Sequence, residues 1–598
     1  MNRIGSALTA SALVLALCAS PAWAQQQQAA DIQAAVDAAL AKVTPVTNDT
    51  LKNPADGDWL MGRRTYNGWG YSPLDQITSD NVKDLQLVWS WGLSPGGTDQ
   101  ETPLAHDGVI FVQNSSHLIQ ALNGATGQLL WQYQYSLPTG VSPSSERAKV
   151  LYGDNLIFAT RDDHLVAVNT KTGKLAWDQQ VADYKKGFAF SGGPMVADGV
   201  IVQGQTNCDR TPSSGCFIGG YDATTGKEMW RVYTIARGDN PEGNSWNGLP
   251  QDSRFGASAW ISGAYDPEQG VVFAGVGQPY PWPAVLNGLL PKNPDPKYTN
   301  KALYTDSTLA IDPKTGKLKW YHQYLSTDTL DLDYVYDRLL VDLPVKGQMT
   351  KQVVTAGKLA IIESIDRTNG NWLWAHETVP QNVVTAIDPT TGEKTINPDV
   401  IPQVGKTTVN CPADPGGRAW QATSYSPKTK MMYMPTAEFC SNTVVNPLDQ
   451  GQVYTGGGLA TYNRVPRPDS DGNIGQVRAI SLEDQKDVWM YRQHAPVTTS
   501  TLPTAGNIVF EGTLDRKLLA LDATTGKVLW TSPTLDNSIE SFPITFTSNG
   551  KQYVAVVTNW SSGLGRLKLI TPEVQLPQDN PHTLYVFALP DNLTTAQK

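Results

Sequence analysis

The sequence predicts an all-β protein folded as an eight-bladed β-propeller, and three observations carry that expectation. First, one phrase recurs: a small or aliphatic residue, Asp or Asn, a few polar residues, Thr-Gly, then Trp. It reads ALNGATGQLLW ending at Trp131, AVNTKTGKLAW at Trp177, GYDATTGKEMW at Trp230, AIDPKTGKLKW at Trp320 and ALDATTGKVLW at Trp530. Looser copies end at Trp374 (SIDRTNGNWLW) and Trp489 (AISLEDQKDVW), and LQLVWSWG at Trp89 supplies the Trp end of one more. A fixed phrase at roughly 40–55 residues, with longer gaps where a unit carries insertions, marks a repeat fold. Second, the phrase is itself a hairpin: Gly takes the positive φ of the turn, and Asp or Asn hydrogen-bonds its own turn. Third, only 17% of the 598 residues are charged, with 52 Gly and 40 Pro, which suits a turn-dense β protein rather than a helical or disordered one. One hairpin cannot bury its faces alone, whereas radial repetition of four-stranded sheets buries them and protects the edges. Each Trp is expected to act as a wedge between blades.

In chain order, residues 1–24 read as an export signal. Arg3 is the positive start, Ala7 to Ala19 a short apolar run, and Ala22-Trp23-Ala24 a small-residue cleavage site. Cleavage after Ala24 and a periplasmic mature protein are expected. The apolar run is too short to span a bilayer, and no later stretch is long enough. Residues 25–50 form a Gln- and Ala-rich lead-in, helical or disordered, and residues 51–598 form the propeller. Cys18 leaves with the signal, so Cys208, Cys216, Cys411 and Cys440 remain. An even number in an exported chain points to disulfides. Cys208 with Cys216 and Cys411 with Cys440 are the expected pairs, because each flanks a single insertion. A metal site is the weaker reading, with no Cys-x-x-Cys and no nearby His cluster. No Cys-x-x-Cys-His occurs, so no covalently attached haem is expected in this chain. The net charge of −10 argues against a nucleic-acid partner, which would want a basic face.

Fold alone does not assign function. Trp-marked repeats also build exported, non-catalytic propellers that act as protein- or sugar-binding scaffolds, and the repeats by themselves do not separate that reading from an enzyme. Longer segments do. The chain opens with DWLMGRRTYNGWGYSPLDQITSDNVKDLQLVW and closes with TLYVFALP. Over nearly the whole mature length it resembles the quinoprotein alcohol dehydrogenases that use pyrroloquinoline quinone (PQQ). VTPVTNDTLKNPADGDW, GCFIGGYDATTG and CPADPGG make it look closest to the sorbose dehydrogenase-like branch. The resemblance implies a PQQ-dependent alcohol dehydrogenase with one metal ion, Ca²⁺ or a lanthanide, and a separate electron acceptor such as a periplasmic cytochrome c.

The resemblance carries over residue by residue. Trp260, in GASAW, matches the Trp whose indole is the floor under the flat quinone, and it stands outside the repeat phrase. Arg147 and Thr160 match positions that hold the carboxylates and rim of the cofactor; Arg and hydroxyl donors suit its three carboxylates. Thr206 and Ser191 are further candidates, each also readable as a strand hydroxyl bonded to backbone. Lys358 sits where the family has Arg or Lys near the two quinone oxygens, and a cation there stabilises negative charge on the reduced ring. In STDTLDLDYVYDR, Asp331 matches the general base and metal ligand. Asp333 follows two residues on, and on an extended segment both would point to one side. The family's lanthanide enzymes carry Asp at that second position. The competing reading is an acidic turn with calcium as the ion. Gln278, in GQPYPW, replaces a metal-ligating Asn, and the carboxylate ligand falls near Asp209.

Three departures from the family pattern concern the pocket. Ser144-Ser145 stand where many members have two adjacent cysteines that form a lid over the quinone. Gln100, with Glu101 beside it, stands at a family Glu. Thr498 stands where a large Trp narrows the substrate entrance. Loss of a lid and a wall implies a bulky primary or secondary alcohol, such as a polyol, sugar alcohol or hydroxylated xenobiotic, rather than methanol.

Overall fold

The computed structural model describes residues 21–93, 100–144, 147–208, 215–280, 295–447, 460–560, 565 and 567–594. Those residues hold eight four-stranded antiparallel sheets, seven of them built from strands consecutive in space and nearly so in sequence. One such sheet runs Met195–Ala197, Val200–Gly204, Phe217–Asp222 and Glu228–Tyr233. Its inner strands are buried and its last strand is only partly buried. The eighth sheet closes the chain on itself: Gln86–Gly92 pairs antiparallel with Thr583–Ala588, which continues into Lys551–Thr558 and Ile544–Ser548. Closure of this kind removes the open edges that a long β array would expose.

The repeat phrase turns out to be a contact between neighbouring units. Asp222 accepts hydrogen bonds from the amides of Thr224 and Thr225 at 3.1 and 2.8 Å, and Gly226 takes φ +71°. A Cβ on Gly226 would lie 2.6 Å from the ring of Trp177, the Trp of the preceding unit. The same seating joins Trp89 to Gly127, Trp131 to Gly173, Trp230 to Gly316, Trp320 to Gly370 and Trp489 to Gly526. The Trp131 and Trp230 indoles also donate to Thr170 O and Pro313 O, both at 2.7 Å. Glycine is required twice over, for the left-handed turn and for the flat ring pressed against it. Trp374 departs from the pattern because the next phrase, SLEDQKDVW, lacks Thr-Gly; its indole donates instead to Gln352 within its own sheet.

Insertions between blade strands supply the remaining structure. Phe255–Gly256 pairs with Pro279–Tyr280, and Thr407–Asn410, Phe439–Val445 and Ala460–Pro466 form a separate three-stranded sheet. Phe255, Tyr280 and Val445 pack together, with Tyr462 against them, so the two insertions support one another. Both expected disulfides are present, Cys208–Cys216 and Cys411–Cys440. The lead-in is helical over Pro21–Leu40. No described helix is long and apolar enough to cross a membrane. The expected signal falls largely outside the described residues.

Candidate active site

A cavity of about 540 Å³ is lined by Arg147, Ser191, Thr206, Trp260, Gln278, Asp331, Asp333 and Lys358, together with residues of the inserted loops. Its size suits a small cofactor with a substrate. Eight of the residues singled out by sequence therefore converge, although they span more than 200 positions of chain.

The segment between Ser326 and Arg338, which carries Asp331 and Asp333, is irregular, not the extended strand that would have aligned its two carboxylates by alternation. Asp331 lies at φ +61°, a left-handed conformation that Asp tolerates better than most residues. Asp328 sets that turn: its buried carboxylate accepts from the amides of Leu330 at 2.8 Å and Leu332 at 2.6 Å. Arg338, fully buried, ties the far end down through Tyr334 O at 2.7 Å and Ser307 O at 3.1 Å. Lys358 then gathers both carboxylates, with Nζ 2.8 Å from Asp331 Oδ1 and 3.0 Å from Asp333 Oδ2. Asp333 also accepts from the amide of Gln278 at 3.2 Å, and a Cβ on Gly277 would strike its Oδ1 at 2.4 Å, so glycine gives that carboxylate its room.

Burial dominates the electrostatics. It raises the Asp331 carboxyl to about 7 against the pull of Lys358, and Asp333 and Asp414 add to the rise. Burial works against the Lys358 ammonium, but Asp331 and Asp333 outweigh it and hold its pKa well above the usual lysine value. Asp328 rises to about 6, again chiefly through burial. A carboxyl poised near neutrality beside a permanent cation is suited to proton exchange with a substrate hydroxyl.

Elsewhere in the lining, the Arg147 guanidinium lies 4.7 Å from the ring centroid of Trp260 and 5.7 Å from that of Trp420. Its Nη1 donates to Ser191 O at 2.9 Å. Tyr336 stands edge-on to Trp260, with centroids 5.4 Å apart. Thr206 lines the cavity while its hydroxyl donates to Ala189 O at 2.9 Å. The Gln278 carboxamide nitrogen donates to the Tyr280 hydroxyl. A flat aromatic floor with a stacked cation fits a planar polyanion. Two carboxylates and an amide oxygen in one wall fit a hard, oxygen-seeking cation.

Some expectations need correction. Thr160 does not line the cavity: it is fully buried, its hydroxyl donating to Asp162 at 2.6 Å and accepting from the His164 amide, and its neighbour Arg161 lines the cavity instead. Thr498 also points away, its hydroxyl bonded to Ile539 O, while Val497 faces inward. Gln100 and Glu101 serve the scaffold: Gln100 donates to Glu540 at 2.5 Å, and Glu101 is paired with buried Lys149. Ser144 lines the cavity, with Ser145 and Asp209 outside the described residues.

The model described as "PQQ: Glucose/ethanol/alcohol dehydrogenase, beta-propeller domain" matches residues 59–394 and 471–554. The chain belongs to this family. It is 31% identical to the quinohemoprotein alcohol dehydrogenase ADH IIB of Pseudomonas putida, over 90% of this chain and 78% of that protein. It is 30% identical to the quinoprotein alcohol dehydrogenase PedH of the same species, over 86% and 87%. Among solved structures, a europium-containing methanol dehydrogenase superposes with a TM-score of 0.80 at 26% identity, covering 90% of this chain and all of that one. The chain is thus a PQQ-dependent alcohol dehydrogenase with a β-propeller fold.

Within this dehydrogenase, several lining residues were not anticipated: Arg161, Asn207, Tyr336, Asp414, Arg418 and Trp420. Trp420 carried the signal that exposed Trp260, a Trp outside the repeat phrase. Asp414 lay in the quoted CPADPGG segment. Nothing in the local sequence marks Asn207 or Tyr336.

Proposed function

We propose that this protein is an exported dehydrogenase, one propeller from residue 51 to its end, that oxidises a bulky primary or secondary alcohol to the ketone or aldehyde. Its electrons pass to a separate acceptor such as a periplasmic cytochrome c. The observation that carries the reading is the mixed lining of the cavity. It holds both the Asp331–Asp333–Lys358 cluster and the apolar side chains of Pro435, Phe439, Val497 and Leu567. A polar reacting group and a sizeable carbon skeleton would each find a matching surface. A relative, the 1-butanol dehydrogenase (cytochrome c) of Thauera butanivorans, is 29% identical over 94% of this chain and supports the choice of acceptor. The two disulfides suit an oxidising compartment.

In this reading Trp260 and Arg147 hold PQQ, with Ser191 and Thr206 at its rim, and Asp331, Asp333 and Gln278 hold the metal ion. When bound, the cofactor accepts the two electrons of the alcohol and the ion acts as a Lewis acid. Asp331 accepts the hydroxyl proton, at an oxygen already hydrogen-bonded by Lys358. The Lys358 ammonium stabilises negative charge that develops beside it. Asp333 supplies a second anionic oxygen that a trivalent ion needs and a divalent ion merely tolerates, so a lanthanide is the favoured ion.

Dye reduction by purified protein, loaded with PQQ and either Ca²⁺ or La³⁺, across primary, secondary, small and bulky alcohols, tests the whole reading. Bulky alcohols should be preferred, with higher rates on La³⁺, and Asp333→Ala should shift the preference toward Ca²⁺. Methanol as best substrate would sink the pocket argument. Full activity with Ca²⁺, no gain from La³⁺ and a silent Asp333→Ala would sink the lanthanide argument.

A further inference from the structure

We propose that Lys394 is a positioning residue for the reaction: an inserted hairpin carries its ammonium to the ring of Tyr334, and that ring sets the turn bearing Asp331 and Asp333 against the backbone next to Lys358. The proposal rests on the alcohol-oxidising role of that cluster and adds a residue outside the cavity on which the cluster depends. The hairpin pairs Val384–Ile387 with Lys394–Ile396 and belongs to none of the eight four-stranded sheets. Its turn repeats the chemistry of the blades. Asp388 accepts from the amides of Thr390 at 2.9 Å and Thr391 at 2.8 Å, and Gly392, at φ +75°, seats the ring of Trp372. In the blade turns the lysine that follows Thr-Gly is exposed, as at Lys174, Lys227, Lys317 and Lys527. Here Glu393 takes that exposed place, and Lys394 turns inward with its side chain 1% exposed.

Lys394 Nζ donates to Tyr324 O and to Glu363 Oε1, both at 2.7 Å, and lies 5.5 Å from the centroid of the Tyr334 ring. Tyr324 also stacks on Tyr334, with centroids 4.9 Å apart and planes 8° apart. The fully buried Tyr334 ring presses on Gly357, where a Cβ would lie 2.6 Å from it. The next residue is Lys358, whose amide donates to Asp333 O at 3.1 Å. Tyr334 therefore touches both halves of the cluster: it follows Asp333 in the chain and packs against the residue before Lys358. Lys394, Glu363 and Tyr334 do not line the cavity, so they act on the reaction through the residues that do. A buried ion pair is a poor device for stability alone, since apolar residues of similar volume commonly do as well. What it adds is a defined place for the ammonium, and a cation over an aromatic ring is held more strongly where water is excluded.

The test compares wild type, Glu363→Gln, and the double variant Lys394→Met with Glu363→Gln, which removes the pair without leaving a buried charge. Each is loaded with PQQ and metal, and kcat and KM for 1-hexanol are measured together with the melting temperature. Terbium titration of the PQQ-loaded protein, followed by luminescence, reads the metal site without turnover. Loss of a supporting group of this kind should lower kcat and weaken terbium binding roughly tenfold or more in the double variant. KM should stay nearly unchanged because the lining is intact, and Glu363→Gln should show a smaller fall in kcat. Wild-type kcat and terbium affinity in the double variant, with only the melting temperature lowered, would show that the pair serves the fold, and that result overturns the proposal. Where the double variant does not fold, Glu363→Gln decides, and unchanged kcat and terbium affinity there overturn the proposal as well. A wild type that binds terbium but oxidises no alcohol defeats the functional reading instead, and the terbium titrations still decide the role of Lys394.

Discussion

Asp522 and Asp328 make the same kind of turn and end with opposite acidities. Asp522, in a repeat turn, accepts from the amides of Thr524 and Thr525, both at 2.9 Å, and from both hydroxyls. Partial burial is the largest single influence and acts against its charge, but the four hydrogen bonds together outweigh it and hold its carboxyl below the usual range. Asp328 accepts from two amides at shorter distances, yet burial outweighs them, Asp333 adds repulsion, and its carboxyl rises to about 6. The chemistry of the turn is shared; depth decides its use. Near the surface it is a fastener for the blade. In the interior it is a mount that holds Asp331 in a left-handed conformation against Lys358.

The contrast can be broken most decisively at Asp331. Asp331→Ala should lower kcat/KM by roughly 10²–10⁴-fold with the melting temperature nearly unchanged, because its role is proton transfer and not packing. Retention of more than about a tenth of the activity would remove it from the mechanism. Next in size is the rim. Cys411→Ser with Cys440→Ser should cost about 3 kcal/mol of stability in a denaturant titration. A stability loss below about 1 kcal/mol would show that the bridge adds little to the fold.

Two smaller effects separate surface from depth by pH. The depressed Asp522 contributes stability that is present above the unfolded carboxylate pKa and fades as pH falls through its lowered value. Asp522→Ala should therefore cost about 1 kcal/mol at pH 7 and less near pH 3, with activity unaffected. Glu511 is the reverse case. It is fully buried, both oxygens lack hydrogen-bond partners among the described residues, and burial raises its pKa well above the usual glutamate value. Its folded state binds the proton more tightly, so stability is greatest below about pH 4.5 and declines as pH rises. Glu511→Gln should gain stability over wild type in thermal melts at pH 8 and lose that advantage near pH 4. An equal effect at both pH values would show that packing, not charge, governs the position.

The blades were legible because each repeat carries its own instructions. Asp or Asn, Thr-Gly and Trp specify turn and hairpin locally, and the glycine at one turn is matched to the Trp one unit earlier, as Gly226 is to Trp177. Cys208 and Cys216 were legible because both lie in one insertion, whereas Cys411 and Cys440 lie on either side of the blade strands Ser424–Ser426 and Met431–Ala437 and pair across two insertions. Asp331, Asp333 and Lys358 were legible through resemblance, with flanking segments long enough to align them. Thr160 and Thr498 do not line the cavity, whereas their chain neighbours Arg161 and Val497 do. Along a strand or turn one step reverses the direction of a side chain, and alignment at this level of identity does not resolve that step.

What the sequence by itself determined is therefore the repeating hairpin, the ring it must close into, the disulfide pairs and the residue types of the Asp331–Asp333–Lys358 cluster. These depend on backbone chemistry within a few residues, repeated often enough to be read. What only the tertiary structure decided is the company those residues keep. The left-handed turn at Asp331, the elevated pKa of its carboxyl, and the buried Lys394–Glu363 pair beside Tyr334 all arise from segments far apart in the chain. Burial and charge proximity set them, and neither is defined until the blades have closed around the site.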